Sequence, residues 1–218
     1  DMAFDYAAMA DVPAVIEAHV TRVLEAGSAS LVLGGDHSIT LPLLRAHAAR
    51  FGPLSLVQFD AHPDTWSDDD PSRVDHGTII YKALSEGLID PARSVQIGTR
   101  VEVEDEAEHG VTRYDARAVH SGADVASDIR RIVGETPVYL TFDIDVLDPA
   151  FAPGTGTPVW GGLSSAQVAG VLRGLAGLNL VGADVVEVSP PYDHANITAL
   201  AAAHIAYDLI ALWGWKRR

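Results

Sequence analysis

Residues 54–64 read LSLVQFDAHPD, an apolar run that ends in three polar side chains at alternate positions, Asp60, His62 and Asp64. In an extended chain, residues i, i+2 and i+4 point the same way, so two carboxylates and an imidazole converge on one spot. The run before them is apolar on both faces, the pattern of a parallel strand covered by helices on both sides. Alone, the polar triplet fits either a metal site or a solvated acidic loop; the rest of the chain decides between them.

Further strands of the same kind read at Leu31–Leu33, Ser94–Ile97, Val138–Phe142 and Leu180–Val188. Helical spacing separates them. Val12, Val15, Ile16, Val20, Val23 and Leu24 form one apolar stripe, with Asp11 as expected N-cap and Gly27 as stop. Leu43–Phe51, Ile79–Leu88 and Asp124–Val133 follow suit. Ser164 and Gln167 form the capping box of another helix, and a last helix is expected from about Asn196 to Trp213. Strand alternating with helix predicts an α/β fold, a three-layer α/β/α sandwich with a mainly parallel sheet. No linker or repeat breaks the chain, so residues 1–218 read as one domain.

The unusual polar residues fall at the carboxyl ends of these strands, where open parallel sheets bind ligands. LVLGGDHS places His37 after the first strand, LTFDIDVLDP places Asp143 and Asp145 after another, and VVEVSPP places Glu187 after the last. Asp60, Asp64, Asp143 and Asp145 bring four negative charges into one pocket, and like carboxylates at close range oppose joint ionisation. Two divalent cations neutralise all four, with His37 and His62 completing the ligand set. Mixed oxygen and imidazole donors suit Mn²⁺, with Zn²⁺, Fe²⁺ or Co²⁺ as competitors.

Composition agrees. The 218 residues are 48% apolar and 21% charged, and thirty acidic against fifteen basic residues give a formal charge of −15. That balance favours a cationic partner and disfavours nucleic acid or an anionic membrane. No cysteine is present, which removes thiolate metal sites and cysteine nucleophiles. The first residues show no signal-peptide pattern, and the apolar stretch 197–213 is interrupted by His204 and Asp208, so a cytoplasmic setting without a bilayer span is expected.

GGDHS, DAHPD and FDIDVLDPAFAPGTGTP resemble the three signatures of the ureohydrolase family, which includes arginases, agmatinases and guanidinobutyrases. Within it, DHGTIIYKALSEGLIDP and VVEVSPPYDHANITALAAA resemble the agmatinase wording. The resemblance implies a two-manganese centre that hydrolyses a guanidino group to urea and an amine, here agmatine to putrescine. Carried over, His37, Asp60, Asp64 and Asp143 hold one manganese, Asp60, His62, Asp143 and Asp145 hold the other, and Asp60 and Asp143 bridge. His76 matches the proton shuttle, Glu187 the carboxylate that holds the guanidinium, and Thr157 the threonine beside it. By its position alone, after an acidic run, His76 reads first as a loop histidine; the resemblance reverses that. The family also implies a homo-oligomer, trimer or hexamer, and another strand before the segment that begins here, so an N-terminal part that helps shape the tail pocket is expected to be missing. Val146 and Ala183 stand where Cys and Met are common in similar sequences. A guanidino-acid ureohydrolase and an inactive metal-binding fragment remain as alternatives.

Other polar residues receive plainer readings. Asp148 belongs to a turn supporting the ligand loop, and Asp184 is a buried ion-pair or hydrogen-bonded partner within a strand. Gly154 and Gly156 fit a tight loop. His19, His47, His109 and His120 are expected at the surface, and His204 packs or meets another subunit. His194 and the Val101–His109 loop are the remaining candidates for tail contacts.

Overall fold

The structure, a computed structural model, describes residues 8–70, 73–103 and 109–216. Six strands, β1 (Ser30–Leu33), β2 (Ser55–Phe59), β3 (Val95–Thr99), β4 (Thr112–Asp115), β5 (Val138–Asp143) and β6 (Leu180–Val186), form one sheet in the order β1-β6-β5-β2-β3-β4. Every pairing is parallel. The expected strands lie within a few residues of their observed bounds. β4 is the one the periodicity did not reveal: TRYD is short, polar and half-buried at the sheet's edge, without the apolar run that marks the inner strands.

Helices cover both faces. On one side α1 (Val12–Glu25), α2 (Thr40–Phe51) and α3 (Ile79–Ser85) pack Ile16, Val20, Leu44 and Ile80 against Leu56 and Tyr139. On the other, α4 (Ala116–His120), α5 (Val125–Val133), α6 (Ser165–Gly174) and α7 (Ile197–Lys216) pack Val119, Ile129, Leu172 and Leu209 against Val57, Phe59, Leu140 and Phe142. The result is the three-layer α/β/α sandwich. The capping box of α6 forms, with Ser164 and Gln167 bonded reciprocally. Asp11 does not cap α1, because a 3-10 turn over Met9–Asp11 runs straight into the helix and the side chain makes no cap bond.

One detail corrects a plainer reading. His47 is fully buried: its Nδ1 lies 2.7 Å from Leu43 O and its Nε2 3.1 Å from Ser30 Oγ. It packs so closely on β6 that a Cβ at Gly182 would lie 2.2 Å from His47 Nε2. Its helix turns inward at that position, which periodicity over a short stripe does not resolve. α7 is by length and hydropathy able to cross a membrane; here it lies on α6 and β6, with Ile205 and Leu209 buried, Trp213 Nε1 donating to Leu180 O and Asp208 paired with Arg173.

β2 and β5 are neighbours in the sheet, yet the chain leaves β2 toward β3 and leaves β5 toward β6, in opposite lateral directions. That reversal opens a crevice at their carboxyl ends, the place where such sheets bind ligands. Phe59 pairs with Phe142, so the next residues, Asp60 and Asp143, stand side by side at its mouth.

Candidate metal centre

Along β2, Leu56, Gln58 and Asp60 share one face; along β5, Tyr139, Thr141 and Asp143 do. The face toward α2 therefore changes from apolar to polar as the strands approach their carboxyl ends. Beyond those ends, backbone turns gather the remaining groups. Asp64 adopts φ 53° and Glu187 φ 63°, left-handed conformations uncommon for residues with a side chain and typical of strained functional positions. The Asp64 turn is held by Ile80 N–H donating to Asp64 O at 3.0 Å, and Glu187 by its own N–H donating to Gly35 O at 2.9 Å.

All six candidate ligands meet. His37 Nδ1 lies 3.1 Å from Asp60 Oδ2, 2.9 Å from Asp64 Oδ2 and 3.3 Å from Asp143 Oδ2. His62 Nδ1 lies 3.0 Å from Asp145 Oδ2 and 3.5 Å from Asp60 Oδ1. Two donor groups result, His37–Asp60–Asp64 and Asp60–His62–Asp145, and they share Asp60, one oxygen facing each. The five residues other than His62 are buried.

These groups fit a pair of cations. His37 Nδ1 and Asp64 Oδ2 are buried without a hydrogen-bond partner, although each lies among charged neighbours. A buried lone pair left so is costly unless something positive meets it. The electrostatics of the metal-free chain point the same way. Burial, with the charge of Asp60, pushes Asp64 up to about 7. Burial, with Asp145 and Asp60, raises Asp143 well above the carboxylate range. Burial opposes charge on His62, but Asp145 and Asp60 outweigh it and push the imidazole up to about 10. The cluster draws positive charge to itself, and the donor set is that of a binuclear metal site.

Supporting bonds reach outward from the cluster. Gln58 Nε2 donates to Asp60 Oδ2 at 2.8 Å, Gln96 Nε2 donates to Gln58 Oε1 at 2.7 Å, and Arg113 Nε donates to Gln96 Oε1 at 3.0 Å. Arg100 donates to the carbonyls of Asp145 and Val159, both at 2.7 Å, clamping the loop after β5. Neither chain of contacts was visible in the sequence, because its members come from strands far apart in the chain. The carboxyl of Asp148 accepts from the N–H groups of Ala150, Gly161 and Gly162, the turn role expected of it. Val146 and Ala183 are fully buried among apolar neighbours.

A cavity of about 580 Å³ opens over the cluster, and Trp66, Asp68, Arg73, Asp75, His76 and Glu187 stand in its wall. Glu187 Oε1 accepts from the His37 N–H at 2.7 Å and lies 3.6 Å from His76 Nδ1. Burial raises the Glu187 pKa, against the hydrogen bond from His37. Asp75 caps the short turn that carries His76, accepting from Gly77 N–H at 3.1 Å. Thr157 also lines the cavity, and its Oγ1 donates to Asp145 Oδ2 at 3.4 Å; at its neighbour Gly156 an added Cβ would lie 3.8 Å from Glu187 Oε2. His194 is exposed and is not among the lining residues. Of the 101–109 loop, Val101 reaches the cavity and residues 104–108 lie outside the described residues.

Residues 1–211 match the model of the arginase family. Among curated relatives, an agmatinase of Proteus mirabilis is 52% identical, with 100% of this chain and 70% of that protein covered. Among solved structures, a hypothetical agmatinase from Burkholderia thailandensis superposes with a TM-score of 0.94 at 54% identity, covering 97% of this chain and 67% of that one. Proclavaminate amidino hydrolase from Streptomyces clavuligerus gives 0.90 at 43%, covering 99% and 72%. A sheet-edge cluster of this composition, at such identity over nearly the whole length, leaves one conclusion: the chain belongs to the arginase family, ureohydrolases that act on guanidino compounds, and resembles its agmatinases.

Proposed function

We propose that this chain hydrolyses agmatine to putrescine and urea with two Mn²⁺ ions held by His37, Asp60, Asp64, Asp143, Asp145 and His62. The observation that carries the reading is the Glu187 carboxylate, pinned by the His37 N–H at 2.7 Å directly beside the ligand cluster. When bound, the two cations supply Lewis-acid activation of the water that attacks the guanidino carbon.

The protein's own groups do the rest. Glu187 has one lone pair on Oε1 occupied by His37, which leaves Oε2 and the remaining lone pairs to accept from a planar guanidinium by charge-assisted bonds. That orients the substrate over the cluster. His76, with half its side chain exposed and 3.6 Å from Glu187, sits at the mouth, where it hands a proton to the departing amine. Thr157 steadies Asp145 through its hydroxyl. Trp66, whose N–H donates to Gly77 O at 3.1 Å, ties the ligand turn to the His76 turn and walls off water.

The tail side of the cavity favours a cation. Asp68 and Asp75 line it, and the guanidinium of Arg73 is already engaged, 3.1 Å from Asp75 Oδ2 and 3.7 Å from Asp68 Oδ2. Lys82 Nζ also lies 3.5 Å from Asp68 Oδ2, so both cations near this wall are already paired, and a carboxylate tail, as in guanidinobutanoate or arginine, has to displace an existing pair whereas an ammonium does not. The exposed Leu200, Tyr207, Ile210 and Trp215 of α7 support the reading as a homo-oligomer, since a second copy would shield them.

Urea release from agmatine, 4-guanidinobutanoate and arginine, each with added Mn²⁺, tests the proposal. Agmatine is expected to have the highest kcat/KM. Preference for a guanidino acid would make Arg73 the tail partner, and tight Mn²⁺ binding without urea from any of the three would leave a metal-binding protein only.

A further inference from the structure

Behind the imidazole of His37 lies a closed set of buried hydroxyls. His37 Nε2 is 2.8 Å from Thr141 Oγ1, and Thr141 Oγ1 donates to Asp184 Oδ1 at 2.6 Å. Asp184 Oδ2 accepts from Thr40 Oγ1 at 3.0 Å and from Tyr139 OH at 2.8 Å. Thr40, Tyr139, Thr141 and Asp184 are all fully buried. None of the four is open to bulk solvent.

The direction of these bonds is determined by counting protons. Burial raises the Asp184 pKa and the three hydroxyls oppose it; as a carboxylate Asp184 only accepts, so each of the three gives it its single proton. Thr141 then has only a lone pair left for His37, and His37 Nε2 must carry the N–H. The nitrogen that remains to face Asp60, Asp64 and Asp143 is Nδ1, and it is the one able to offer a lone pair to a cation there. A histidine binds a metal through such an unprotonated nitrogen, and the tautomer is set by the bond its other nitrogen makes.

We propose that Asp184, acting through Thr141, is a positioning residue that fixes the Nε2–H tautomer and ring orientation of His37, and so sets the affinity of one of the two metal sites. The inference rests on the reading of His37 as a ligand. It assigns Asp184 a task on the reaction side of the molecule, although its side chain touches neither substrate nor metal. It also explains why three hydroxyl donors, two from β5 and one from α2, converge on a carboxylate of β6 in the interior, where an apolar residue would otherwise be expected.

The test is Mn²⁺ binding by titration calorimetry and by metal content after dialysis, with circular dichroism as the check on folding. Wild type is expected to hold two equivalents. Thr141→Val keeps the shape but removes the acceptor, and should weaken one equivalent by about 10- to 100-fold while the other stays. Thr141→Ser restores the hydroxyl and should restore both. Thr40→Val removes a different bond to the same carboxylate without touching His37, and should keep both. If Thr141→Val does not fold, Thr141→Cys serves in its place: sulfur fills the volume but is a weak acceptor, and the same equivalent should weaken. Two tight equivalents in the Thr141 variant, or an equal loss in Thr40→Val, would overturn the proposal. His37→Asn separates the two levels: if it too retains both equivalents, the ligand role of His37 fails; if it loses one and the Thr141 variant does not, only the relay fails.

Discussion

The backbone N–H of His37 donates to Glu187 Oε1 at 2.7 Å, and the N–H of Glu187 donates back to Gly35 O at 2.9 Å. The loop after β1 and the end of β6, 150 residues apart in the chain, are therefore one structural unit. It holds a proposed metal ligand and a proposed substrate anchor in fixed relation, and it holds Glu187 in its left-handed conformation. This arrangement separates binding of the metal from binding of the substrate.

Glu187→Gln should keep the bond from His37, because the amide oxygen still accepts, but it removes the charge facing the guanidinium. We expect kcat/KM to fall by about 10²-fold, the scale of losing a desolvated charge pair, with both Mn²⁺ equivalents retained. Urea assays beside metal analysis check this; loss of manganese would show that Glu187 supports the ligands instead.

Asp60 and Asp64 should differ. Asp60 faces His37 with one oxygen and His62 with the other, whereas Asp64 is closest to His37 alone. Asp60→Asn is expected to lose both equivalents, and Asp64→Asn mainly one. Metal content after exhaustive dialysis reads the difference, and near-full occupancy in Asp60→Asn would remove it from the bridging position.

His76 stands on a turn of its own, outside the ligand set. His76→Ala should bind metal normally and lose kcat by about 10²-fold or more, the usual scale for a general acid, with little change in KM. Added imidazole should restore part of the rate. A rise in KM alone would assign His76 to substrate binding.

Asp148 supplies a pH signature of stability. Its burial raises its pKa, but the N–H groups of Ala150, Gly162 and Gly161 outweigh that and hold it below the usual carboxylate value. A depressed folded pKa gives stability that is present above the unfolded value of about 3.9 and lost as pH falls through the folded one. Asp148→Ala should lower Tm by about 2–4 °C near neutral pH, the shift expected for 1 kcal/mol in a chain of this size. The deficit should shrink toward pH 3, and a deficit independent of pH would mean the carboxylate charge is not what stabilises the loop.

Much of this molecule is legible in short windows of sequence. Strands buried on both faces announce themselves as apolar runs, and the ligands follow them within a few residues, so LVQFDAHPD carries both a strand and half of a metal site. The convergence of Asp60, His62 and Asp64 was expected from an extended chain, but it comes from a turn: β2 ends at Phe59, His62 N–H donates back to Asp60 Oδ1 at 2.7 Å, and Asp64 is left-handed. Of the two edge strands, β1 showed an apolar run and was read, but β4 escaped because TRYD is polar and half-buried. His47 escaped because a single imidazole on a helix gives no sign of facing inward.

What lay beyond any window was partnership. Nothing near Asp184 in the chain reveals that Thr40, Tyr139 and Thr141 give it their protons. Nothing near Thr157 says that its hydroxyl turns to Asp145, and the path from Arg113 through Gln96 and Gln58 to Asp60 crosses three strands. The candidate ligands were written locally, because each donor group is placed by the few residues around its own strand end. Their protonation, orientation and support were decided only by the folded sheet, because a hydrogen bond in a dry interior depends on which group the neighbouring strand happens to present.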